Sequence, residues 1–178
     1  MDTSQLNGLQ LMLMHHGAVR KRLRTLRELE LGLCSLDEDE RHEAREAARE
    51  IVRFIEVENV LHERDETLSF FPRLVAAMQA AGESDGEVWK EVLEARDEHL
   101  DFERIWTPVE HWLCLIATPD AIVSIDRLRS AIASLESFIL EHYDREERML
   151  VPAARRLLSE ADFAAMGAEI KARHGWTS

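Results

Sequence analysis

One segment of the chain occurs twice. Residues 62–72 read HERDETLSFFP and residues 142–152 read HYDREERMLVP. Each copy puts a histidine four residues before a glutamate, follows with a short apolar run, and carries proline ten residues after the histidine; the copies lie 80 residues apart. On a helix, residues four apart share a face at about 6 Å separation along the axis. Each copy can therefore aim an imidazole and a carboxylate at one point, and two such helices facing each other would make a metal site. The fold must be one that brings the two helices together.

Helical periodicity runs through the rest of the chain. A first helix is predicted over about residues 4–31, where Leu9, Met12, His16, Val19, Leu23 and Leu26 recur at threes and fours. Gly32 is its stop, residues 33–37 are a loop, and Asp37 or Asp39 is the cap of a second helix that runs to Phe71. On that helix Ile51, Ile55, His62, Glu66 and Ser69 share a face. Pro72 lacks an N–H and crowds the preceding turn, so it should end or kink the helix; a turn or two over 74–80 follows. The third helix is expected over about 87–117, with Trp89, Val92, His99, Phe102, Trp106 and Val109 in phase and Pro108 bending its later half. The fourth, about 120–150, has the cleanest stripe: Ile125, Leu128, Ile132, Leu135, Ile139, His142, Glu146, Met149. Ser159 followed by Asp162 reads as the capping box of a last helix over about 159–174. The expected architecture is all-α: one domain over 1–178, an antiparallel up-down-up-down four-helix bundle over about 4–150, and a short C-terminal helix.

Composition agrees with long amphipathic helices: 46% hydrophobic and 32% charged residues, with 7 Gly and 4 Pro. A net charge of −13 argues against nucleic acid or an anionic membrane surface as partner. The basic run Arg20, Lys21, Arg22 and Arg24 reads as a solvated helix face. Cys34 and Cys114 are too few and too far apart for a disulfide framework or thiolate site. The apolar stretch 9–14 is too short to span a bilayer, and its basic residues follow it rather than precede it. A cytoplasmic protein with reduced thiols is expected.

Of the eight histidines, four have Glu at i+4: His42, His62, His99 and His142. With 24 glutamates in the chain the spacing alone carries little, because such pairs are ordinary on helix surfaces. Phase separates them. His42 is polar on nearly every side and reads as solvated, whereas His62, His99 and His142 lie on apolar stripes. In the first helix His16 is preferred over His15, because His16 has Met12, Val19, Leu23 and Leu26 on its face; His15 is a polar neighbour at the cavity mouth. Four core-facing histidines and two carboxylates, Glu66 and Glu146, would cost several kcal/mol per buried charge without compensation. A polyvalent cation removes that cost. An all-nitrogen-and-oxygen set suits iron, with manganese or zinc possible, and two carboxylates shared between two metals would bridge them.

On these residues the chain resembles hemerythrin-like proteins, the HHE cation-binding domain, which are marked by H-x3-E-E-x-x-L-F-P in the second and fourth helices. The first copy departs at Thr67 and the second at Val151; the resemblance covers about residues 5–155. It implies a four-helix bundle holding a non-haem di-iron centre, with His16, His62, His99 and His142 as terminal ligands and Glu66 and Glu146 bridging. Oxygen-carrying members have a further histidine four residues after the one on the third helix. Glu103 stands there, either as a seventh ligand or as a helix-surface carboxylate. Glu63 is a further candidate, since some iron-sensing relatives use the residue after the second-helix histidine.

The function expected is binding or turnover of a small oxidant (dioxygen, hydrogen peroxide or nitric oxide) in a stress response. The alternative is a non-enzymatic iron sensor or store whose occupancy controls an unidentified protein partner. A metal-free helical interaction domain is the bland account. Tyr143 is expected to pack outward, and Trp89, Trp106 and Trp112 to be core or apolar lining. Trp176 is expected in a loose tail, and His174 to reach the site only through a docked C-terminus.

Overall fold

The structure is a computed structural model that describes residues 5–33 and 38–176, and every regular element among them is helical. The expected start near residue 4, Cys34 and a cap at Asp37 lie outside the described residues. The helices are α1 (Gly8–Gly32), α2 (Glu38–Phe54), α3 (Val60–Asp65), α4 (Phe71–Ala81), α5 (Glu87–Ile116), α6 (Ile125–Arg145), α7 (Val151–Leu157) and α8 (Glu160–Arg173). Single π-helical turns, Ile55–Asn59, Glu66–Phe70 and Glu146–Leu150, join α2 to α3, α3 to α4 and α6 to α7. No described helix is long and apolar enough to cross a membrane.

Local chemistry sets the boundaries. Asn7 accepts a hydrogen bond from the Gln10 N–H at 3.0 Å while the Gln10 side chain accepts from the Asn7 N–H at 2.9 Å, so α1 starts at Gly8. Asp39 lies inside the first turn of α2 and is not its cap. α5 passes through Pro108 to Ile116. Asp120 then takes a left-handed φ of 59°, and α6 begins at Ile125, later than periodicity suggested. Ser159 and Asp162 form the reciprocal capping box at the start of α8.

Pro72 and Pro152 do not stop their helices. Each follows a π turn in which the next N–H reaches back five residues, Phe71 to the Glu66 carbonyl and Val151 to the Glu146 carbonyl. A proline ring crowds the carbonyl four residues back and offers no N–H to it; widening the preceding turn by one residue relieves both problems without leaving helical backbone.

The chain divides into two compact units. The first comprises Met1–Gly17, Val60–Leu100 and His142–Ser178. Its core includes Leu9, Met12, Phe70, Phe71, Leu74, Met78, Val92, Leu150, Met166 and Ile170, all buried. Two glycines let helices touch by their backbones here: a Cβ on Gly8 would stand 2.3 Å from Cβ of Met166, and one on Gly167 would stand 3.1 Å from the Gly8 nitrogen. Trp176, expected in a loose tail, is partly buried against this core. The second unit comprises Ala18–Asn59 and Asp101–Glu141. It buries Val19, Leu23, Leu26, Ile51, Ile55, Val109, Leu113, Leu128, Ile132 and Leu135, and Arg129 pairs with the buried carboxylate of Glu30 at 2.8 Å.

Candidate metal centre

All six residues expected as ligands belong to the first unit. α1 supplies His16, α3 His62, α5 His99 and α6 His142, while Glu66 and Glu146 each open a π turn. Because a π turn adds a residue, it rotates the rest of the helix about its axis. The two glutamates and the apolar residues behind them, Phe70–Phe71 and Leu150–Val151, can thereby all face inward.

The two carboxylates reach two groups of imidazoles. Glu66 Oε1 lies 3.0 Å from His62 Nε2 and 3.7 Å from His16 Nε2, while its Oε2 lies 3.0 Å from His99 Nε2. Glu146 Oε2 lies 3.4 Å from His16 Nε2, and its Oε1 lies 3.6 Å from His142 Nε2. Each glutamate thus turns one oxygen toward His16 and the other toward the far imidazoles. Among the described residues two groups have the close spacing that could hold a metal ion: His16, His62 and Glu66, and Glu66, His99 and His142. Glu66 is common to both.

Burial sharpens this. Glu66 is 0% exposed and Glu146 1%. Neither oxygen of either carboxylate has a hydrogen-bond partner, nor has Nε2 of His16, His62 or His99, despite separations as short as 3.0 Å. These lone-pair-bearing atoms surround shared points instead of pairing with each other. Leaving so many polar atoms unsatisfied would cost several kcal/mol, and a cation is the group that would satisfy them together.

The electrostatics of the chain by itself are correspondingly strained. Burial presses Glu66 toward the neutral acid, but the imidazoles of His62, His16 and His99 outweigh it and hold its pKa well below the ordinary value. Glu146 is pushed well above the ordinary value by burial and then by the neighbouring Glu66 charge. Burial also lowers His62. For His16 and His99 burial acts downward, but adjacent carboxylates raise both.

Outer carboxylates fix two of the rings. His16 donates through Nδ1 to Glu147 at 2.9 Å, and His142 donates through Nδ1 to Glu98 at 2.7 Å. A carboxylate accepts only, so Nδ1 carries the proton and Nε2 is left to face the centre. Glu98 is held in turn by Arg145, which also donates from Nε to the buried Glu91 at 2.9 Å. Sequence reasoning missed Glu98, Glu147 and Arg145. Glu147 was visible as the second glutamate of the repeat; Glu98 had no signal beyond adjacency to His99.

Tyr143 does not pack outward. It is 3% exposed, and its ring stacks on His16 at 3.9 Å with planes 9° apart. A helical step of 100° from His142 turns it toward α1 instead of solvent. His15 is half-buried and stacks on His62 at 4.1 Å. Glu63 is half-buried near enough to His99 to raise its pKa, behind the larger effects of burial and Glu66. Glu103 is exposed and joins neither group of candidate ligand atoms. His42 is exposed, and Trp106 is buried as a core residue. His174 is docked, but onto Asp65 at 2.8 Å and not into the ligand cluster.

Comparison with protein-family models, with curated proteins and with solved structures gives no match.

Proposed function

We propose that the cluster is a carboxylate-bridged, non-haem di-iron centre in a hemerythrin-like antiparallel four-helix bundle, and that it binds or turns over a small oxidant: dioxygen, hydrogen peroxide or nitric oxide. The observation that carries this reading is the sharing of two fully buried carboxylates among four imidazoles, with their oxygens and three of the Nε2 atoms free of hydrogen bonds. Eight donor atoms from six residues, four imidazole nitrogens and four carboxylate oxygens, leave coordination positions open on two metals, and a donor set without thiolate favours iron, or manganese or zinc, over a structural Cys site. Bound iron would supply the redox change and the open positions. The chain's own residues do the rest. Glu66 and Glu146 would bridge; Glu147 and Glu98 orient His16 and His142; the rings of Tyr143 and Phe71, lying against His16 and His99, keep water from those faces.

A second reading, an iron-occupancy sensor or store in the cytoplasm, draws support from the contacts that tie α8 to the segment carrying Glu66. Peroxide consumption by the iron-loaded protein separates the two, since only turnover consumes it catalytically. The reading as a whole is tested by iron content and spectrum after loading. About two irons per chain are expected of a carboxylate-bridged pair, with near-ultraviolet absorption once the iron is oxidised to the ferric state, and a colourless protein without iron would end it.

A further inference from the structure

The π turn Glu66–Phe70 looks inward with Glu66 and outward with Ser69, Asp65 at the end of α3 lies on the same outward side, and α8 covers that side. Asp65 is 3% exposed although it is an acid, and its carboxylate is paired with Arg173 and accepts from His174 Nε2 at 2.8 Å. Ser69, fully buried, donates to Glu169 at 2.7 Å and accepts from Arg173 Nη2 at 3.0 Å. Arg73, one turn on, donates to the Ser69 carbonyl at 2.9 Å and to Glu169 Oε1 at 2.6 Å. Glu169 and Arg173 are four residues apart and share a face of α8, with His174 beside it at the C-cap. The same helix is set onto the start of α1 by the Gly8–Gly167 backbone contact, two turns before His16.

A π turn needs such support. Its hydrogen bonds span five residues and its form is rarer and less stable than the α-helix around it. A ligand glutamate at its head keeps its place only as far as the turn does. Asp65, immediately before Glu66, and Ser69, three residues after it, are the two points at which α8 grips the turn from behind.

We propose that α8 is an outer clasp of the metal centre: Arg173 and His174 position Glu66 through Asp65 and Ser69, and so set how firmly metal is retained. The proposal rests on the di-iron reading above and adds to it four positioning residues outside the ligand set.

The test is the rate at which the full chain, loaded anaerobically with ferrous iron, releases it to an excess of a ferrous chelator well below the unfolding temperature. Arg173→Ala is expected to release iron about tenfold faster or more, the lower end of the ~10–100-fold effect of outer partners on metal affinity. Arg173→Lys should recover much of the loss, and Gly167→Leu, which forces α8 away without altering any polar residue of the clasp, should speed release as well. Glu83→Ala, which breaks the exposed pair with Arg156 elsewhere in the same unit, should leave the rate unchanged. Should Arg173→Ala not fold, the isosteric Asp65→Asn carries the same expectation. A parent that holds iron beside a folded Arg173→Ala that releases it at the parent rate, with only a lowered melting temperature, would overturn the clasp alone. A parent that holds no iron would overturn the clasp and the di-iron reading together.

Discussion

The two copies of the repeat share a histidine, a glutamate four residues later, a π turn opening at that glutamate and a proline six residues beyond it. The residues before the two glutamates have opposite charge, and those after them differ as well. Before Glu66 stands Asp65, gripped by Arg173 and His174 at the end of α8; before Glu146 stands Arg145, gripped by Glu91 and Glu98 of α5. After Glu66 comes Thr67, exposed; after Glu146 comes Glu147, which orients His16. The shared residues build the inward ligand geometry. The unshared ones pin it from outside, each to whichever helix lies behind it. One copy is thus anchored by the C-terminal helix, the other by the helix that carries His99.

The strongest way to break this comparison is to remove what the copies share. Glu66→Ala and Glu146→Ala should each lower iron binding by more than the ~100-fold upper end seen for outer-shell changes. Glu66→Ala should act more severely, because Glu66 belongs to both candidate ligand groups. Quantified iron content after loading and desalting checks both.

Changing what the copies do not share should have smaller and unequal effects. Glu147→Thr, which makes the second copy like the first, should weaken iron affinity by ~10–100-fold because His16 loses its orienting acceptor. Thr67→Glu, the reverse change, should leave affinity unaltered, since position 67 is exposed. Chelator competition on the pair of variants gives the answer. Equal effects would mean the asymmetry has no consequence.

Smaller still is the contribution of the α8 cap. Ser159→Ala should lower the stability of the metal-free protein by about 1 kcal/mol, read by thermal or denaturant unfolding. The smallest effect concerns acid. Hydrogen bonding from Arg73 lowers the Glu169 pKa, against the opposing effect of burial. That contribution is therefore fully present above the ordinary carboxylate value of about 4.3 and is lost as pH falls through the lowered one. The carboxylate is 43% exposed, so screening limits the pair to about 0.5 kcal/mol or less. Glu169→Gln and parent should differ in unfolding midpoint near neutrality and converge in strong acid.

Much of the helical character and of the candidate cluster was legible in the chain because both rest on periodicity. Of the histidines their stripes singled out, His16, His62 and His142 are buried and His99 is half-buried, and the Ser159–Asp162 capping box sits where the spacing put it. What was missed lies in the third dimension. Pro72 promised a helix end or a kink, but a π turn costs one widened hydrogen-bond ring and keeps the helix going, an alternative no spacing rule distinguishes. Tyr143, one residue from a ligand, looked outward only because the helix behind it could not be located. Glu98, Arg145 and Asp65 are charged residues among many in a chain with net charge −13, and only packing tells those that pin a ligand from those that face water.

The central claim is that two buried carboxylates are shared between two metal positions. Iron bound per chain, measured on the parent and on Glu146→Ala side by side, tests it most directly. About two irons in the parent, falling to one or fewer in the variant with loss of the near-ultraviolet absorption of the ferric form, is the result expected of a bridged pair. A Glu146→Ala protein that holds as much iron as the parent would contradict it.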